Sequence, residues 1–245
     1  MTSYALDRLA WPEVGRVMAR DPRLIIPVGA LEQHGPHLPL GTATLIANAV
    51  ATKLSTDLAI LMAPAFAYGV TLAGGPWAGR TGLRRKTFHR VLNELFARWE
   101  DHGVEEFVVV SAHRYDPHLE AILMVLTAQS ITTVYDLYQI DVSDIVEAAP
   151  TGEHGGELET SLVMHLAPDL VRHDEIADHA PKADALRRYT RGRVPTPPTD
   201  TRGAIGYPSR ATAEKGAAVF HRWVTTLEAA LALEADDRTV HNKSV

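Results

Sequence analysis

Four short strand-like runs punctuate the chain, at Arg23 to Val28, Leu58 to Ala63, Glu106 to Val110 and Thr132 to Leu137. The first reads as a central parallel strand covered on both faces, the second as another buried strand, the third has FVVV at its centre, and TTVYDL reads as a fourth strand. The segments between the runs carry helical spacing. Leu45, Ile46, Ala49 and Val50 follow a Thr42 N-cap. Phe88, Val91, Leu92, Leu95 and Trp99 line a helix over Lys86 to His102 that stops at Gly103. Leu119, Ile122, Leu123 and Leu126 follow an Asp116-Pro117 start. Strand, loop and helix repeated in this order predict an α/β fold with a mostly parallel sheet, its ligand crevice lying outside the carboxyl ends of the strands.

The length of 245 residues and 46% apolar content suit one hydrophobic core. We read residues 1–233 as a single domain and the charged, aperiodic stretch 234–245 as a disordered tail. Leu9, Val14, Val17 and Met18 line a first helix begun at Pro12. A last helix over Ala213 to Leu231 packs Ala217, Val219, Phe220, Val224 and Leu227. The polar stretch from Lys182 to Tyr207 is expected to wander over the surface. A net charge of -6 and a pI near 6.0, with no long basic block, argue against nucleic acid as a partner. The first twenty residues hold Asp7, Arg8, Glu13 and Arg16 rather than a leader's apolar run, and no stretch of about 18 apolar residues offers a membrane span. The expected setting is the cytoplasm. With no cysteine, any metal falls to His, Asp and Glu.

The chemistry-bearing residues gather just after the strands. Glu32 and His34 follow the first, His113 follows the third, and Glu153, His154 and Glu159 lie in and after TGEHGGELETS, where a helix begins. Carboxylates and imidazoles brought together in this way can hold a divalent ion, lower the pKa of its water and pass a proton to a leaving nitrogen. The reaction class that fits is hydrolysis of an amide or cyclic amide. The glycine-rich loop from Tyr68 to Gly82 reads as a substrate-facing element. His37, His118 and His165 read as hydrogen-bonded structural or surface residues.

Taken together, PVGALEQHGPHLPLGT, the strand end VSAH, GEHGGELETSL and the late GYPSRATAEKG resemble the creatininase, or creatinine amidohydrolase, family from about Leu9 to Leu231. The resemblance implies a three-layer α/β/α sandwich, commonly assembled into hexamers, with two adjacent Zn or Mn ions acting on a small-molecule amide. In that pattern Glu32, His34, His113 and Glu159 resemble metal ligands or their acidic neighbour, and Glu153 and His154 match the acid/base and substrate-contacting pair.

The chain departs from the pattern in three places. Ala43 stands where the family reads GTD and a carboxylate bridges the two ions, and Tyr115 occupies the position of another carboxylate. Around Arg80 the middle loop is arginine-rich. With Arg114, Arg80 could put guanidinium charge where a metal charge stood and bind an anionic or zwitterionic substrate, with Tyr115 beside them. The expectation is an amidohydrolase-like enzyme holding at most one Zn or Mn ion. The alternatives are a metal-free enzyme working by general acid/base chemistry, or a non-catalytic subunit on the same scaffold.

Overall fold

The structure, a computed structural model, describes residues 4–71, 77–147, 153–180 and 201–241, with side chains described to 233. Most of the polar stretch 182–207, part of the glycine-rich loop and the last residues of the tail lie outside the described residues.

Helix α1 (Trp11–Arg20) leads into β1 (Arg23–Val28), followed by α2 (Thr42–Leu58), β2 (Leu61–Met62) and α3 (Arg85–Asp101). Next come β3 (Glu106–Ser111), α4 (Asp116–Leu123), β4 (Ile131–Asp136), α5 (Glu157–Leu166) and α6 (Ala213–His241). The strands form one parallel sheet in the order β2-β1-β3-β4. Its register sets Val28 opposite Ser111, and Ser111 opposite Asp136, so three strands end at one edge.

Helices cover both faces. Along β1 and β3 the side chains alternate between two cores: Ile25, Val108 and Val110 pack with Ala47, Val50, Leu162 and Trp223 on the α2, α5 and α6 side. Leu24, Ile26, Val28, Phe107 and Val109 pack with Phe88, Leu92, Phe96 and Ile122 on the α3 and α4 side. This two-sided burial explains the unbroken apolar runs, and each fully buried large side chain contributes about 1.5–3 kcal/mol. Trp223, fully buried, joins both the helical layer and Tyr138, whose ring centroid lies 5.9 Å away.

Several boundaries move from their expected places. Thr42 is the first residue of α2 rather than its cap, because its hydroxyl turns back to the Pro39 carbonyl, 2.7 Å away. Asp116 likewise lies inside α4, with Tyr115 in the cap position. The second strand shrinks to Leu61–Met62, since Leu58 ends α2 and Ala59 turns the chain with φ of 56°. Helix α4 stops at Leu123, leaving Leu123 and Leu126 exposed, and Leu95 also faces outward. The last helix continues past Leu231 to His241. Among the described residues, no helix is long and apolar enough to cross a membrane.

Candidate active site

The loop after β1 lies against the start of α2 because Gly29 has no side chain; a Cβ there would sit 2.4 Å from the backbone of Thr44. The Glu32 amide donates to the Leu40 carbonyl at 3.0 Å, closing the loop on itself. Gln33 fastens it to the late loop, donating from Nε2 to the Gly203 carbonyl at 2.9 Å, and Gly35, at φ 74°, turns the chain. Glu32 and His34 are thereby held side by side, each buried.

The loop before α5 approaches from the other side. Gly155 adopts φ 61°, and a Cβ there would stand 2.5 Å from the His34 carbonyl oxygen, so only glycine lets this loop lie on the first one. His154 is paired through its backbone with Ile205 and stacks on His34, ring centroids 4.6 Å apart. The result is a cluster of Glu32, His34 and His154 whose ligand atoms lie within 4.8 Å of one another.

Tautomers follow from the acceptors. His34 Nδ1 is 3.2 Å from the Glu32 carbonyl and His154 Nε2 is 2.6 Å from the Gln33 carbonyl. A carbonyl oxygen can only accept, so each of those nitrogens carries a proton, and the lone pair of the neutral ring lies on the opposite nitrogen. Backbone carbonyls orient metal-binding histidines in this way. Burial holds His34 below its ordinary pKa, against the pull of Glu159, and so favours the neutral ligand form.

His113 and Glu159 border the same space. His113 Nδ1 lies 3.0 Å from Glu32 Oε1, and its Nε2 donates to the Val70 carbonyl at 2.9 Å. Burial disfavours charge on both partners, yet their attraction prevails, keeping the Glu32 carboxyl well below the usual carboxylate range and the imidazole above its ordinary value. Glu159 Oε1 stands 3.7 Å from His34 Nε2, accepts from the Tyr138 hydroxyl at 2.5 Å, and uses Oε2 to accept from the Gly155 amide at 2.5 Å. Burial works to raise its pKa, but His34, His154 and these donors outweigh it.

Glu153 contrasts with its neighbours. Its Oε2 accepts from the Leu158 amide at 3.0 Å, while Oε1 is buried with no hydrogen-bond partner among the described residues. Its carboxyl lies against Gly156, where an added Cβ would stand 2.7 Å from Glu153 Cδ, so the glycine makes room for it. Burial pushes its pKa up to about 7, where a carboxyl can both give and take a proton.

Arg80 and Arg114 are half-buried. Arg114 Cζ lies 5.9 Å from the Tyr138 ring centroid. Burial raises the pKa of Tyr115, with the charge of Arg80 opposing, and the Tyr115 ring lies 5.9 Å from that of His113. Tyr138 was absent from the sequence-based set, although it follows the fourth strand as His113 follows the third. The hold of the Gln33 carbonyl on His154 and of the Val70 carbonyl on His113 is exerted through the backbone and carries no sequence signal. His118, expected to be structural, is fully buried.

The residues fit one divalent ion: an ionised carboxylate and two oriented imidazoles converge. They do not fit the two-ion centre that the sequence resemblance implies, because the fully buried Ala43 offers only a methyl group in the first turn of α2.

The model of the creatinine amidohydrolase (creatininase) family matches residues 7–231. The chain belongs to the creatininase family. Creatinine amidohydrolase of Pseudomonas putida is 29% identical over 238 residues, covering 87% of this chain and 90% of that protein. The mycofactocin precursor peptide peptidase of Mycobacterium tuberculosis (strain ATCC 25618 / H37Rv) is 32% identical over 215 residues, covering 81% and 80%. Among solved structures, creatinine amidohydrolase (creatininase) superposes with a TM-score of 0.80 at 25% identity, covering 96% of this chain and 98% of that one. The structure described as creatininase Mn gives 0.77 at 25% identity, covering 95% and 99%. This creatininase-family member is therefore an amidohydrolase-like enzyme by fold and family, with a single candidate metal triad among its described residues.

Proposed function

We propose that this protein hydrolyses the C–N bond of a small amide, cyclic amide or peptide end bearing an anionic or zwitterionic group. The convergence of Glu32, His34 and His154 beside the buried, half-satisfied Glu153 carries the reading. Glu32, His34 and His154 would hold one Zn or Mn ion, with Glu159 and, once its Nδ1 gives up its proton, His113 as flanking ligands. When bound, that ion supplies Lewis acidity toward a carbonyl and lowers the pKa of a water.

The chain's own groups do the rest. Glu153 Oε1 takes a proton from the attacking water and returns it to the leaving nitrogen, a task suited to a carboxyl whose pKa is about 7. His154 is anchored through Nε2 by the Gln33 carbonyl, which leaves the ring's lone pair on the other nitrogen: it serves the ion when one is bound and contacts the substrate when none is. Arg80, Arg114 and Tyr115 bind the anionic end of the substrate; a guanidinium forks onto a carboxylate through two parallel hydrogen bonds. Both named relatives fit an amide substrate, one named for creatinine and the other for a precursor peptide.

The direct Glu32–His113 contact favours a second reading, in which these charges balance each other and the same cluster works by general acid/base chemistry without an ion. We extend the proposal to a cytoplasmic homo-oligomer, a hexamer on the family pattern. It is supported by the exposed apolar surface around Trp11, which is 86% exposed.

Metal analysis of chelator-free protein, paired with assays on creatinine, N-formyl amines and short peptides, tests the reading. One ion per chain and chelator-sensitive hydrolysis of the amide bond, seen as ring opening for creatinine and as amine release for the open-chain substrates, support it. Two fully held ions overturn the single-site assignment, and no hydrolysis of any of the three classes overturns the activity. Sedimentation decides the assembly.

A further inference from the structure

The buried ring of His118 makes contacts that core packing alone does not call for. It stacks on Phe88, ring centroids 5.0 Å apart, and meets His113 edge-on at 4.8 Å. A phenylalanine could fill such a place. His118 Nδ1, however, accepts from the Val70 amide at 3.1 Å, which leaves the proton on Nε2, and Nε2 is buried with no partner among the described residues. The fold tolerates an orphaned donor in order to keep the acceptor on the other side of the ring.

Val70 is therefore gripped at both ends of its backbone: His118 takes its N–H and His113 Nε2 donates to its C=O at 2.9 Å. Neighbouring groups pin the same segment. The Leu83 amide donates to the Gly69 carbonyl at 3.0 Å, and a Cβ on Gly69 would stand 2.3 Å from the Gly29 oxygen and 2.8 Å from His118 Cε1. The opposite nitrogen of His113 then reaches Glu32 at 3.0 Å.

We propose that His118 is a positioning residue: by accepting the Val70 amide proton it fixes the backbone of the residue whose carbonyl, on the next peptide, aims His113, and through His113 it sets the Glu32 carboxylate. One segment thereby ties the base of the glycine-rich loop to the cluster. The first readout below stands on geometry alone, and only the second rests on the single-ion reading.

The test compares full-length wild type with His118→Phe, which keeps the stack and loses the acceptor, and His118→Asn, which restores an acceptor near Nδ1. The first readout is solvent exchange of the His113 Nε2 proton, followed by 15N–1H spectroscopy of histidine-labelled protein. The second is Co2+ affinity. In His118→Phe, exchange accelerates and Co2+ binding weakens ~10–100-fold, the usual range for loss of an outer-shell partner. In His118→Asn both return toward wild type. A folded Phe variant with wild-type exchange and Co2+ affinity overturns the proposal, as does an Asn variant as impaired as Phe. If wild type binds no Co2+, the metal reading falls, and His113 exchange still decides the positioning role. Should the Phe variant not fold, native-state exchange in wild type decides: the Val70 amide and the His113 ring proton must open with one shared free energy, and separate openings overturn the proposal.

Discussion

His113 Nδ1 lies 3.0 Å from Glu32 Oε1, in a place where both side chains are nearly out of reach of water. A buried pair of this kind costs desolvation to form, yet is expensive to break from one side, because the remaining charge has nowhere to go. Glu32→Gln is therefore expected to destabilise the fold by about 3–5 kcal/mol and to abolish tight metal binding. Urea denaturation and metal titration of the variant check both.

Glu153→Gln keeps the Leu158 hydrogen bond and the shape of the side chain but removes the proton carrier. Turnover is expected to fall by about 10²–10⁴-fold, the range for loss of a general acid/base, while thermal stability holds. Once a turned-over amide is in hand, steady-state kinetics beside a melting curve separate the two.

Ala43→Asp returns a carboxylate to the first turn of α2, in a position with no exposure. Without metal it introduces a buried charge and lowers Tm. With Zn or Mn present, the ion count per chain should exceed that of wild type and the lost stability should return, as linkage requires. Elemental analysis and paired melts with and without chelator provide the measurement.

Glu100 offers a pH dependence remote from the cluster. Burial acts to raise its pKa, but the amides of Gln129, Ser130 and Ala128, at 2.9, 2.7 and 3.1 Å, outweigh burial and hold it down to about 2. A carboxyl depressed in the folded state contributes stability above its unfolded pKa and loses it as pH falls through the folded value. The contribution should fade between about pH 4.5 and 2. Because the group is part-exposed, Glu100→Gln should cost only about 1 kcal/mol at pH 7, with the difference shrinking toward pH 2. Denaturation at several pH values measures the slope.

Gly155→Ala forces a side chain onto φ 61° and to within 2.5 Å of the His34 carbonyl. Beyond a destabilisation of about 1–3 kcal/mol from backbone strain, it should push His154 off His34 and weaken metal binding more than an equally destabilising core change such as Val219→Ala does. Binding isotherms of the two variants make the comparison.

Much of this was legible in the sequence. Unbroken apolar runs announce strands covered on both faces, and Glu32, His34, His113, Glu153, His154 and Glu159 stand where strand ends and a helix start bring them together. Their division of labour was not legible. The sequence suggested His154 as one of an acid/base and substrate-contacting pair; that its ring also stacks on His34 beside Glu32 was not foreseen, because a left-handed glycine brings one loop down on the other. Backbone partners such as Val70 and the Gln33 carbonyl leave no trace in side-chain chemistry, and Tyr138 was passed over because a phenol two residues beyond the fourth strand is neither an imidazole nor a carboxylate. Helix ends slipped where a hydroxyl, as at Thr42, bonded backward rather than forward.

The register that sets Val28 against Ser111 has a consequence for how this protein fails. Sliding β3 by one residue moves His113 by about 3.3 Å, more than the whole length of its bond to Glu32. The cluster thus behaves as a vernier on strand alignment, and a mispaired intermediate would lose its grip on an ion while its helices and apolar layers still looked intact.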